Sequence, residues 1–179
     1  VVQARDVNGN GVPGLSVIWV VATGGGTVTA QSSVTDAQGR AFTFWNLGAV
    51  AGSNTVTAAV TGLPQVTFTA TGTSAQPAVI QAQSATSQGG TAGAPVAALP
   101  SVKVTDQNNN PVAGVTVTFT VTQGGGSVSD GQGSGPSVSI PTSAGGVATL
   151  TSWTLGIVAG GNTLTATAAG AGISGNPVS

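Results

Sequence analysis

Laid on itself at an offset of 100 residues, the chain repeats. Asp6-Val-Asn8-Gly-Asn10-Gly-Val12-Pro-Gly14 falls on Asp106-Gln-Asn108-Asn-Asn110-Pro-Val112-Ala-Gly114, and Gly24-Gly25-Gly26-Thr27-Val28 on Gly124-Gly125-Gly126-Ser127-Val128. Further along the offset becomes 108. Trp45-Asn-Leu47-Gly48 then meets Trp153-Thr-Leu155-Gly156, and Gly52-Ser-Asn54-Thr55 meets Gly160-Gly-Asn162-Thr163. The change of offset places a net eight-residue insertion in the second copy, within the Gly/Ser/Pro-rich stretch from Asp130 to Pro136. Self-similarity at this scale means that one folding unit is used twice, and whatever fold is assigned must fit both copies.

The pattern inside each copy is that of a β-strand. Val115-Thr-Val117-Thr-Phe119-Thr-Val121-Thr122 alternates strictly, with Val115, Val117, Phe119 and Val121 on one face and threonines on the other, the signature of a half-buried strand. Its counterpart keeps Leu15, Val17, Trp19 and Val21 inward but puts Ile18 and Val20 on the outer face. Those two residues call for a cover, and they are candidates for an interface. Val56, Ala58 and Val60 match Leu164, Ala166 and Ala168 as a second alternating pair. Gly39 stands six residues before Trp45 and Gly146 seven before Trp153, which reads as a bulge. Asn-Gly, Asn-Pro, Pro-Gly and Gly-Gly turns separate the runs, and no window carries a helical apolar period. The expected fold is all-β: two tandem immunoglobulin-like antiparallel β-sandwiches, residues 1–73 and 77–179. The first lacks a counterpart to residues 78–100, so its first strand is expected to be missing. The second ends at Pro177-Val-Ser179, so its last strand is expected to be truncated. The open edges near Val2 and Val178 are therefore further interface candidates, and Gln88 to Ala94 reads as a flexible stretch.

Composition narrows the chemistry. Three cationic side chains and four aspartates are the whole charged inventory among 179 residues, and His, Cys, Met, Tyr and Glu are absent. General acid-base and covalent catalysis lose most of their usual groups, zinc, haem and iron–sulfur sites lose their donors, and a basic patch for nucleic acid cannot be assembled. The expected protein is not an enzyme and takes no cofactor. No apolar run reaches the roughly 18–20 residues of a spanning helix, so membrane insertion by a helix is not expected. Gly plus Pro make up 21% of the chain, below the roughly 25–30% that marks low complexity.

Asp-x-Asn-x-Asn-x-Val-x-Gly, an alternating strand, Gly-Gly-Gly, Thr35-Asp36-Ala-Gln-Gly39-Arg-Ala41 and Gly-x-Asn-Thr-x-Thr-Ala together resemble the bacterial immunoglobulin-like repeats of invasin- and intimin-like adhesins (group 1). The resemblance covers nearly the whole chain twice and departs at Ser143-Ala144-Gly145-Gly146, where the turn aspartate is lost. It implies an extracellular, non-catalytic stalk or spacer at the bacterial cell surface, whose partners are neighbouring repeats or copies of itself; it implies no particular receptor. The alternative is a subunit of an extracellular filament assembled head to tail by β-strand complementation.

Four smaller constellations are open to a functional reading. Asp6, Asn8 and Asn10, with Asp106, Asn108 and Asn110, resemble the opening of a calcium loop. However, position twelve, where a bidentate Glu belongs, holds Val17 and Val117, and an Asx-stabilised turn is the expected role. The triple glycines lack the helix and lysine of a phosphate cradle and read as tight turns. Trp45 and Trp153 read as core or edge plugs before sugar platforms. Lys103, whose repeat partner is Gln3, is a weak candidate for an isopeptide bond.

Overall fold

The computed structural model describes all 179 residues. It is all-β with no helix, and it divides into two compact units, Val1–Thr73 and Ser74–Ser179. Unit one contains β1 (Val2–Gln3), β2 (Ser16–Thr23), β3 (Thr27–Val28), β4 (Ser32–Val34), β5 (Arg40–Ala41), β6 (Trp45–Asn46), β7 (Gly52–Ala59) and β8 (Val66–Gly72). Its larger sheet has the order β4-β2-β7-β8, and β1 pairs with β5 and β3 with β6. Unit two contains β9 (Val79–Ala82), β10 (Ser101–Thr105), β11 (Thr116–Gln123), β12 (Gly126–Ser129), β13 (Ser134–Gly135), β14 (Ser137–Pro141), β15 (Val147–Thr149), β16 (Ser152–Leu155) and β17 (Thr163–Ala168). Its sheets run β15-β10-β9, β14-β11-β17 and β13-β12-β16, with every strand pair antiparallel.

The period-two pattern fixes which face is buried. Val17 and Trp19 are buried while Ile18 and Val20 remain 46% and 52% exposed. In unit two Val115, Val117 and Phe119 are buried between the sheets with Ile80, Val102, Val104, Leu150 and Ala166. Each core draws on one unit alone, and that of unit one is the smaller, with four fully buried apolar residues. The insertion at Asp130–Pro136 lies at the β12–β13 hairpin, whose turn Asp130 closes by accepting from the Gln132 and Gly133 amides at 2.9 and 2.8 Å.

Two sequence readings need correcting. The extra residue before Trp153 falls in the break between β15 and β16, where Leu150 drops into the core; the register shifts lie instead between Val21 and Thr23 and, at the equivalent place, between Val121 and Gln123. The stretch around Gln88–Ala94 is pinned down. Gln88 exchanges hydrogen bonds of 2.8 and 3.0 Å with the Ala98 backbone, Gly93 donates to the Gly156 carbonyl, and the adjoining Val96 is buried. A chain rich in Gly, Ser and Ala reads as mobile in composition, but here the Gln88 side chain and the Gly93 and Ala94 amides have partners.

Candidate functional site

The carboxylates are the only acids available for chemistry, and the fold commits them to turns. Asp106 is buried, and its Oδ1 accepts from the Asn108 and Asn110 amides at 2.8 and 2.9 Å. Its Oδ2 accepts from Asn110 Nδ2 and from the Ala75 amide, both at 2.9 Å. The hydrogen bond from the Asn110 side chain and then those from the backbone amides outweigh desolvation, and they hold the carboxyl at about 2. Asp6 repeats the turn in an exposed setting, accepting from the Asn8 and Asn10 amides at 2.9 and 2.8 Å and from Asn10 Nδ2 at 3.1 Å, and its pKa is lowered by the same Asn10 contact. In both loops the asparagine at the fifth position points its N–H₂ at the carboxylate, and the oxygens that a cation would use already accept hydrogen bonds. The twelfth positions, Val17 and Val117, are buried in β2 and β11.

A second device follows each Asx turn. Thr35 and Thr142 are both buried; their hydroxyls donate to the carbonyls of Val12 and Val112 and accept from the amides of Leu15 and Val115. Where unit two loses its aspartate, the turn survives: the Ser143 N–H bonds the Val147 carbonyl as Asp36 bonds Arg40, while Ser143 Oγ caps at 3.4 Å where Asp36 caps at 2.8 Å.

The third device was not identified from sequence. Asn54 Oδ1 accepts from the Gly48 amide at 3.0 Å and its Nδ2 donates to the Gly52 carbonyl at 3.2 Å, and Asn162 makes the same two bonds to Gly156 and Gly160 at the same distances. Gly24 and Gly124, at φ of +86° and +84°, lie so close that a Cβ on either would overlap the asparagine. The triple glycine, the Trp-x-Leu-Gly and the Gly-x-Asn segments are thus parts of one clamp. The available signal was that three separated motifs recur together in both copies. Asn54 is fully buried. Asn54→Ala strands an amide and a carbonyl and is expected to cost unit one about 1–3 kcal/mol, with Asn162→Ala costing unit two less because Asn162 is only half-buried. Urea unfolding of each variant measures the difference.

The other candidate residues are scattered. Ile18 and Val20 share the outer face of β2 with Val34, which stands opposite Ser16 and is 64% exposed. The matching face of unit two carries hydroxyls, Thr118 bonded to Ser139 at 2.9 Å and Thr120 to Ser137 at 3.1 Å. Val2 and Val178 pack against their own cores, Val2 pairing with Ala41 and Val178 with Ala166. Trp153 packs against the core of unit two, and the Trp45 and Trp153 indole N–H groups are buried without a partner. Lys103 lies in β10 between the buried Val102 and Val104, opposite Gln81 and Val147.

No protein-family model and no curated protein matches the sequence. Among solved structures, the chain is similar to the D0-D1 domain of intimin (20% identity, TM-score 0.37, covering 96% of this chain and 82% of that one). It is similar also to invasin, described as a bacterial integrin-binding protein (20% identity, TM-score 0.37, 98% and 33%), and to β-glucuronidase 3 of Bacteroides uniformis (15% identity, TM-score 0.36, 87% and 20%). No residue role is carried over from any of them.

Proposed function

We propose that the chain is a non-catalytic structural module, two immunoglobulin-like sandwiches in series that serve as a stalk or spacer of a bacterial cell-surface protein of the adhesin type. One observation carries this reading: what recurs between the copies is the framework. The Asx turn, the threonine staple and the asparagine clamp are kept atom for atom, whereas the outer faces diverge from Ile18 and Val20 to Thr118 and Thr120. A repeated scaffold without a repeated surface fits a role in spacing and bearing load. Stretching single molecules held at their two ends tests it. Two discrete unfolding events are expected, with length gains in the proportion of the units' 73 and 106 residues; gradual yielding without discrete events would contradict the reading.

In the same reading the aspartates are turn caps. Millimolar calcium, or a chelator, is expected to leave both thermal midpoints unchanged, since a cation would have to displace the amide donors from Asp6 and Asp106. A midpoint that climbs with calcium would make these loops a metal site.

A further inference from the structure

The first Asx loop carries a reactive sequence that the second lacks. Asn8-Gly9 and Asn10-Gly11 are the two Asn-Gly steps of the chain, and their counterparts are Asn108-Asn109 and Asn110-Pro111. An asparagine followed by glycine is open to attack on its side-chain amide by the next backbone nitrogen, because no β-carbon crowds the five-membered ring that forms. Proline has no N–H to give up, so the Asn110 step is closed to this reaction. Asn109 puts a side chain on the attacking residue and, at φ +63°, fills the left-handed position that Gly9 holds at +86°.

The fold treats the two steps of unit one differently. Asn10 is tied down three times. Its amide donates to Asp6 Oδ1 at 2.8 Å, its Nδ2 donates to Asp6 Oδ2 at 3.1 Å, and its carbonyl accepts from the Asp6 amide at 2.9 Å. Gly11 packs so closely on the Gln38 carbonyl that a Cβ there would overlap it. Bringing the Gly11 nitrogen onto Asn10 Cγ therefore means dismantling the loop. Asn8 is exposed, and its hydrogen bond runs from the backbone amide to Asp6 Oδ1 at 2.9 Å, which leaves the side chain free to turn. Gly9 is exposed too, with nothing within 4 Å of the place a Cβ would take, and its amide is held by the Asp6 carbonyl at 3.0 Å. Opening that one bond frees the attacking nitrogen without moving a core residue.

We propose that Asn8 is a site of spontaneous deamidation, selected by the fold over Asn10. The Gly9 nitrogen, having lost its proton to hydroxide, forms a bond to Asn8 Cγ. The Cγ–Nδ2 bond breaks, and the nitrogen takes a proton from water and leaves as ammonia, giving a succinimide. Water then opens the ring at either carbonyl, to aspartate or to isoaspartate. No oxidation or reduction takes place, and water is the co-reactant consumed. Either product places a new negative charge two residues from Asp6. Isoaspartate also adds a backbone atom between residues 8 and 9, inside a turn that closes through the Gly9 and Asn10 amides reaching Asp6. Unit one loosens with age in this way, and unit two does not.

The test is incubation of the full folded chain in warm, mildly alkaline buffer beside the same chain in urea, followed by peptide mapping with mass spectrometry and isoaspartate detection. The folded chain is expected to gain the mass of an NH2-to-OH exchange at Asn8 first, with Asn10 converting severalfold more slowly and Asn110 unchanged. In urea, where the loop bonds are gone, Asn8 and Asn10 should convert at similar rates. Gly9→Asn, which copies the second loop, should slow conversion of Asn8 severalfold. In aged chain the Trp19 indole signal should melt earlier than in fresh chain, with Trp153 unmoved, and Asn8→Ala should remove that shift. Equal conversion of Asn8 and Asn10 in the folded chain, an intact Asn8 there after the chain in urea has converted, or undiminished conversion in Gly9→Asn would each overturn the proposal.

Discussion

Replacing Phe119 with alanine is expected to bring down unit two and leave unit one standing. Phe119 is 1% exposed at the middle of β11, between Val138 on β14 and Ala166 on β17. Its partners on the neighbouring strands, Val138 and Ala166, are too short to close over a missing ring. Truncation of a buried Phe costs about 3–5 kcal/mol, a large share of the roughly 5–15 kcal/mol that holds a whole domain. The two cores share no residue, so the loss belongs to one transition. The three indole N–H signals separate the units: Trp153 reports on the second, and Trp19 and Trp45 report on the first. Heating Phe119→Ala should remove the Trp153 signal many degrees early, while that of Trp19, anchored to Ser33 Oγ at 2.8 Å, disappears at its usual temperature. Simultaneous loss of all three would mean that the units fold as one.

Asp106 carries the second large effect. Four N–H donors converge on its buried carboxylate, and Asp106→Ala removes these four hydrogen bonds at once. Asp106→Asn is no rescue, because its N–H₂ must face either the Asn110 side chain and the Ala75 amide or the two amides of the turn, donor against donor. Either variant should destabilise unit two several times more than Asp6→Ala destabilises unit one, since the Asp6 turn is exposed and its carboxylate has no contact equivalent to Ala75. The same group sets an acid limit. Its pKa falls from 3.8 to about 2 on folding, so the unfolded chain binds the proton more readily than the folded one. The stabilisation is complete above about pH 4 and disappears as the pH drops through 2. Thermal midpoints of the native chain between pH 5 and pH 2 should fall for unit two along this course, and Asp106→Ala should flatten the curve.

The parts legible in the sequence were those that repeat at short range. Val-Thr alternation placed β11, and the same period placed β2 with Val17 and Trp19 inward, because in a half-buried strand the side-chain period is the burial pattern. Offset matching located the insertion that ends as the β12–β13 hairpin. The Asn54 and Asn162 clamp was not legible, since its partners are backbone groups of distant glycine turns, and a polar residue inside an apolar run gives no sign of what it bonds. The pinning of Gln88 to Ala98 was hidden for the same reason: small residues look mobile until their backbone partners are known. The bulge was misplaced because counting residues between Gly146 and Trp153 detects an extra residue without saying whether it lies in a ladder or in a break, and the real register shifts, at Val21 and Val121, are common to both copies and cancel in the comparison.

The account rests on the chain working as a spacer whose units are complete enough to stand alone in solution. Light scattering after size exclusion, with negative-stain imaging of the same fractions, tests that most directly. It predicts monomers of 16.9 kDa at every concentration examined. Regular fibres that grow with concentration would contradict it and make assembly the function.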